Sequence, residues 1–235
     1  MLAALGGLLM SGRRAQATTY DFIRIASPDT AYQAATTKIP ITAGDASGVL
    51  GLADARLSLS FSTLSVITPP LAAETVGTSW STWSSPPYAE SATPRLLYYS
   101  DSYISTKSLG ITFSQPLQTF GAEIEMASYY ATGAVTMTFY DGTSPVGAIS
   151  QTIGGAYGAR LFAAEITGAQ FDSVVVSAPT ATSGFGIGQF RYEVVPEPAG
   201  LPLAGVGAVL GWWGGRRPKR RLPLDSAGFD GKLAV

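Results

Sequence analysis

The sequence predicts an all-β protein: an antiparallel β-sandwich or jelly-roll body, flanked by a signal-peptide-like N-terminal segment and a C-terminal transmembrane helix. Three observations predict the body. Several runs alternate apolar and polar residues at a period of two, the pattern of a half-buried strand. Glycine, proline and Ser/Thr clusters separate most of these runs, and such residues favour turns. No stretch keeps a helical period with caps, apart from a weak turn near 45–55. Composition agrees. The chain is 46% hydrophobic, enough for a core, and 13% charged, about half the roughly 25% of an average soluble domain. Its polarity comes from Ser, Thr, Gly, Gln and Tyr, which suit short strands and turns better than charged helices.

In chain order, residues 1–9 (MLAALGGLL) form a short apolar run, and Ala15-Gln16-Ala17 make an A-x-A pattern just before Thr18. Together they resemble the h-region and cleavage site of a secretory signal peptide, shortened at its basic start. The segment 1–17 is therefore expected to be removed, leaving Thr18 as the mature N-terminus. The body spans 18–195. Its first strand is expected at 19–25. Residues 56–62 (RLSLSFS) put Leu57, Leu59 and Phe61 on one face and Ser58, Ser60 and Ser62 on the other. Further strands are expected at 109–113 and 120–126. Residues 134–140 (AVTMTFY) set Val135, Met137 and Phe139 opposite Thr136, Thr138 and Tyr140, and Asp141-Gly142 after them is a turn signal. Strands at 161–166, 171–177 and 185–194 complete the body.

The tail has three parts. Val195-Pro196-Glu197-Pro198-Ala199 comes first, an extended segment held open by two prolines. Residues 200–215 (GLPLAGVGAVLGWWGG) follow, apolar and closed by a Trp pair suited to the headgroup level. The stretch is short against the roughly 20 residues of a spanning helix, yet long enough for a thin bilayer. Arg216, Arg217, Lys219, Arg220 and Arg221 then form a basic cluster that acts as a stop-transfer and stays cytoplasmic. Residues 222–235 form a cytoplasmic or disordered end. This arrangement resembles the PEP-CTERM sorting domain of Gram-negative, biofilm-forming bacteria. The resemblance implies that Pro196, Glu197 and Pro198 are read by an exosortase, a membrane enzyme that removes the anchor. The expected location is the cell envelope, with inner-membrane anchoring before processing and a surface or extracellular place afterwards. The body also looks like those of many PEP-CTERM proteins in three stretches: Trp80 to Pro87 (WSTWSSPP), Phe113 to Gly121 (FSQPLQTFG), and residues 184–192.

Charge and missing residue types narrow the function. The chain has no Cys and no His, so thiol nucleophiles, Ser-His-Asp triads and His-ligated zinc are excluded. Between Thr18 and Val195 seven basic residues stand against thirteen acidic ones, a net −6. A mildly acidic body is a poor partner for nucleic acid. The expected partners are exosortase, the membrane through the C-terminal helix, and extracellular polysaccharide. No cofactor is expected.

The expected function is thus an exported surface or matrix protein without catalysis. Two alternatives attach to particular residues. Trp80, Trp83 and Tyr88 lie in a Ser/Pro-rich stretch with Tyr98, Tyr99 and Tyr103, where exposed rings would stack on sugars, as in a carbohydrate-binding module; the plainer reading is that they cover the end of a core. Glu123-Ile124-Glu125 places two carboxyls on one face of a strand. A glycoside hydrolase of the retaining kind needs two carboxyls roughly 5 Å apart, and laminarinase-like sandwich glycosidases use a similar strand, with a further acid that this chain lacks. The plainer reading is two acids on a solvent-facing strand. Residues 184–188 (GFGIG) lie inside an alternating strand and open no helix, so they point to a bulge or close sheet packing rather than to a dinucleotide. Asp101, Asp141 and Asp172 are candidates for a structural calcium, but no clustered loop supports one, and no metal is assigned.

Overall fold

A computed structural model describes residues 20–42, 47–63, 71–99, 107–178 and 184–196. The elements are β1 (Asp21–Ile25), α1 (Thr30–Ala35), β2 (Thr37–Lys38), β3 (Ser47–Val49), β4 (Gly51–Ala53), β5 (Ser58–Thr63), β6 (Leu71–Thr75), β7 (Arg95–Tyr99), β8 (Lys107–Met126), β9 (Thr132–Asp141), β10 (Ser144–Gly154), β11 (Arg160–Thr167), β12 (Phe171–Ala178) and β13 (Phe185–Val194). The all-β expectation holds, and all of the strand pairs are antiparallel.

The topology follows from one long strand. The N-terminal half of β8 pairs with β12 and β5, and its C-terminal half pairs with β11 and β13. One layer is therefore β10-β9-β12-β8-β5-β4, and the other is β1-β11-β8-β13-β7-β6-β3, with β2 on β13. The strand changes layers near Pro116. Phe171 pairs with Leu117 and Ser173 with Thr112, so four residues of β8 are matched by Asp172 alone. A proline has no N–H to give to a ladder, and the place where partners change is where that omission matters least. The two strands expected at 109–113 and 120–126 are thus one continuous element.

Between the layers lies a core of alternating residues. Leu109, Ile111 and Phe113 enter it from one half of β8, and Phe120, Ala122, Ile124 and Met126 from the other. Rings from opposite layers meet. Phe61 of β5 lies 6.0 Å from Phe190 of β13, and Phe22 of β1 lies 5.3 Å from Phe139 of β9. Val135, Met137 and Phe139 are fully buried, as their alternation requires. Gly142 takes φ +59 in the β9–β10 hairpin, the left-handed turn that Asp-Gly favours.

The segment 45–55 holds no helical turn where it is described; it forms β3 and β4, paired with β6 and β5. The helix is elsewhere. Asp29 caps α1 by accepting a hydrogen bond from the Tyr32 N–H at 2.9 Å. Six residues are too few to show a period. Among the described residues no helix is long and apolar enough to cross a membrane. The expected signal segment, the apolar stretch 200–215, Glu197, Pro198 and the basic cluster lie outside the described residues.

Candidate functional site

The outer face of the second layer is covered rather than open. Along β8, Glu123 and Glu125 share that face, and Gly188 and Gly186 stand opposite them on β13. The missing side chain at Gly186 leaves room for the segment between β6 and β7 to fold back over the sheet, and that at Gly188 lets β7 approach closely. A Cβ on Gly186 would lie 3.0 Å from the Trp80 ring, and one on Gly188 would lie 2.8 Å from the Arg95 carbonyl oxygen. The glycines thus serve close packing. The bulge is also present: pairing shifts between Gly188 and Arg191, and Gln189 takes φ +52. The extra residue reverses the alternation. Phe185 and Ile187 point into the core before it, and Phe190 and Tyr192 after it.

Two indoles close over the two carboxylates. Trp83 Nε1 donates to Glu123 Oε2 at 2.9 Å, and Trp80 Nε1 donates to Glu125 Oε2 at 2.8 Å. Backbone N–H groups complete each cage. That of Glu90 donates to Glu123 Oε1, and that of Gly158 donates to Glu125 Oε1 at 2.9 Å. Both carboxyls are fully buried. Burial pushes each up to about 7, although the indole and backbone donors favour the ionised form. This corrects the solvent-facing reading of Glu123-Ile124-Glu125. It also leaves the glycoside-hydrolase reading without a contact, because no face of either carboxyl meets solvent where a sugar would lie.

Next along the same face, Arg191 pairs with Glu90 through two bonds, Nε to Oε2 at 2.8 Å and Nη2 to Oε1 at 3.0 Å. Its Nη1 donates to the carbonyls of Gln33 and Thr36, at 3.0 and 3.1 Å, tying α1 to the sheet. Lys38 Nζ also reaches Glu90 Oε1 at 3.0 Å. Burial alone would raise the Glu90 carboxyl; Arg191 and Lys38 outweigh it and hold the group below its ordinary value.

The aromatic residues sort into two groups. Trp83 is 2% exposed and Trp80 9%. Trp83 therefore offers no ring face to a ligand, which corrects its place among the glycan contacts. Trp80 retains an edge on an open hollow of about 250 Å³, which Glu74, Ser81, Thr82, Tyr98 and Tyr129 also line. Tyr88 is 58% exposed, with the Arg160 guanidinium 4.5 Å above its ring. Tyr99 lies in the core, and Tyr103 and Asp101 fall outside the described residues. Asp172 accepts from Gly142 N–H at 3.0 Å and from the Ser173 hydroxyl. Among the described residues no group of acids, Asp141 and Asp172 included, gathers around a metal position.

Strand alternation does not point to three exposed tyrosines on the loops beside this face, Tyr129, Tyr130 and Tyr157. They lie on the β8–β9 and β10–β11 loops, which are laced to the β6–β7 segment. Thr82 Oγ1 donates to the Gly155 carbonyl at 2.9 Å, Ser84 Oγ donates to the Tyr157 carbonyl, and Gly155 N–H donates to the Ala131 carbonyl at 3.0 Å. A usable signal was there: Tyr157 in Gly-Gly-Ala-Tyr-Gly and the Tyr129-Tyr130 pair sit in turn sequences, where large rings have little to pack on.

No protein-family model matches this sequence, and no curated protein matches it. Two solved structures similar to the chain are a family 11 carbohydrate-binding module and a phage tailspike domain. The module, from the cellulosomal cellulase Lic26A-Cel5E of Clostridium thermocellum, is 7% identical over 69% of this chain and 96% of its own, with a TM-score of 0.35. The enzymatically active domain of tailspike protein 4 from bacteriophage CBA120 is 14% identical over 60% of this chain, with a TM-score of 0.33. The match spans 20% of the tailspike chain's length.

Proposed function

We propose that this chain is an exported bacterial surface or extracellular-matrix protein whose tail is a sorting signal processed by an exosortase. The observation that carries the reading is the three-part tail, Pro196-Glu197-Pro198 followed by an apolar stretch and five basic residues. The end of the body is compatible with it: β13 stops at Val194, and Pro196 is exposed. Mass spectrometry of the mature protein from its host tests it. The expected species starts at Thr18 and lacks the basic cluster. Envelope protein retaining both Met1 and Val235 would overturn the reading.

A second reading concerns the body, as a carbohydrate-binding module on the same export route. The concentration of exposed tyrosines on three interlocked loops favours it, since Tyr offers a rigid apolar face with a polar tip. Glu123 and Glu125 have no catalytic part in this reading; they anchor the segment that carries Trp80 and Trp83. A glycan array probed with the full chain in detergent tests it. Reproducible binding to a defined class of polysaccharide is expected, and an array with no signal would remove the reading while leaving the sorting proposal untouched.

A further inference from the structure

We infer that the hollow beside Tyr129 is a binding site for a neutral polysaccharide chain. The inference rests on the carbohydrate-binding reading and gives it a place and a ligand class. Seven large apolar or aromatic side chains are exposed among the described residues, and four of them are Tyr88, Tyr129, Tyr130 and Tyr157. All four belong to three joined loops: Thr82 and Ser84 tie the β6–β7 segment to the β10–β11 loop, and Gly155 N–H ties that loop to the β8–β9 loop at the Ala131 carbonyl. The remaining three, Tyr20, Ile23 and Leu50, lie on other segments.

Tyr157 is held there against its own backbone preference. It takes φ +53, a left-handed conformation that costs a residue with a Cβ and persists only where its surroundings enforce it. They do so here. Its N–H donates to Thr82 Oγ1 at 3.4 Å, and its carbonyl accepts from Ser84 Oγ. The result is an exposed ring on a fixed mount. Pre-set aromatic surface of this kind lowers the ordering cost of binding.

The hollow itself supplies the second half of the chemistry. It is open to solvent and measures about 250 Å³, the scale of a single sugar ring rather than of a drug-sized ligand, whose pockets run to roughly 300–1,000 Å³. Its lining brings Tyr129 and Trp80 together with Ser81 and Glu74, while the Thr82 hydroxyl is already engaged with the Gly155 carbonyl. A carboxylate accepts from two adjacent hydroxyls, the arrangement a pyranose presents. Charge chooses among polysaccharides. Glu74 lies in the hollow, and the body around it carries a net −6, so an acidic chain would be repelled and a neutral one would not.

Affinity electrophoresis of the full chain in detergent tests the site. The probes are a neutral panel of β-glucan, α-glucan and galactomannan, with alginate as the acidic comparison. At least one neutral polymer should retard the protein, and alginate should not. Tyr129→Ala should weaken retardation at least tenfold and Glu74→Gln several-fold, with unfolding midpoints unchanged; Tyr20→Ala should have no effect. Undiminished binding by both hollow variants would overturn this site and leave the carbohydrate reading standing. Binding to none of the neutral polymers would overturn both. Preference for alginate would overturn the ligand class, and a protein partner found at Tyr129 in place of any polysaccharide would overturn the site's assignment.

Discussion

A carboxyl shut away from water holds its proton longer, and Glu123 and Glu125 are both shut away beneath an indole. Their native values, about 7, lie above the ordinary 4.5. The folded chain therefore binds more protons than the unfolded chain between these values, and stability falls as pH rises through that window. The contribution is complete below pH 4.5 and is lost as pH passes 7. Asp54 and Glu90 are shifted the other way, so they weaken the fold only in stronger acid. Urea unfolding at pH 5 and pH 7.5 should show the protein more stable at pH 5, by about 2 kcal/mol after allowing for screening. Glu123→Gln should reduce this pH dependence by roughly half. A flat profile would mean that both carboxyls stay ionised in the fold. The shared face of the two acids was legible from strand alternation alone. Their burial was not, because Trp80 and Trp83 lie 45 and 40 residues earlier, and no local pattern states which loop will fold back over a sheet.

The most sensitive element is β13, where one residue decides the facing of the others. With Gln189 in the bulge, Phe190 and Tyr192 enter the core. Deleting Gln189 would restore simple alternation and leave both rings inward, with Arg191 still opposite Gly121; keeping Gln189 in a regular strand would instead turn both rings outward, because a one-residue slip reverses every side chain beyond it. Deletion should therefore preserve cooperative unfolding, read by near-ultraviolet circular dichroism, and its loss would show that the bulge itself is needed. Gln189→Gly should fold normally, since φ +52 suits glycine. Gly188→Ala should destabilise by about 1–3 kcal/mol, because its Cβ would press on backbone rather than on a mobile side chain. Unchanged stability there would show that β7 can move away from β13 without loss. The strand was visible in the sequence, with glycine already pointing to a bulge or close packing. The strands of β6, β7 and β10 were not. Leu71–Thr75 and Arg95–Tyr99 lack a clean alternation, and Ser144–Gly154 begins with Ser-Pro-Val-Gly, which resembles a turn.

At the scale of the whole molecule, the fold class followed from alternation and punctuation, which are local properties. The path of β8 between layers did not, because it depends on partners from every part of the chain. The tail has its own test. Glu197 is the only charge between Glu193 and Arg216, and an enzyme reading Pro196-Glu197-Pro198 would need a cationic or hydrogen-bonding pocket for it. Glu197→Gln keeps the size and extended shape and removes the charge. It should slow release and leave full-length protein in the membrane fraction of an exosortase-bearing host. Release at the wild-type rate would make the motif a linker.

The layer-crossing strand also sets a clock. Residues of β8 pair with β5 about fifty positions upstream and with β12 and β13 about sixty or more downstream. Neither layer can close until chain from both directions has arrived. Loop-closure entropy is then lost before long-range contacts compensate it, and topologies of this kind fold in roughly milliseconds to seconds rather than microseconds. Stopped-flow refolding should place this protein in that slow range. For the export route proposed above, such delay would keep the nascent chain unfolded and threadable while it crosses the membrane.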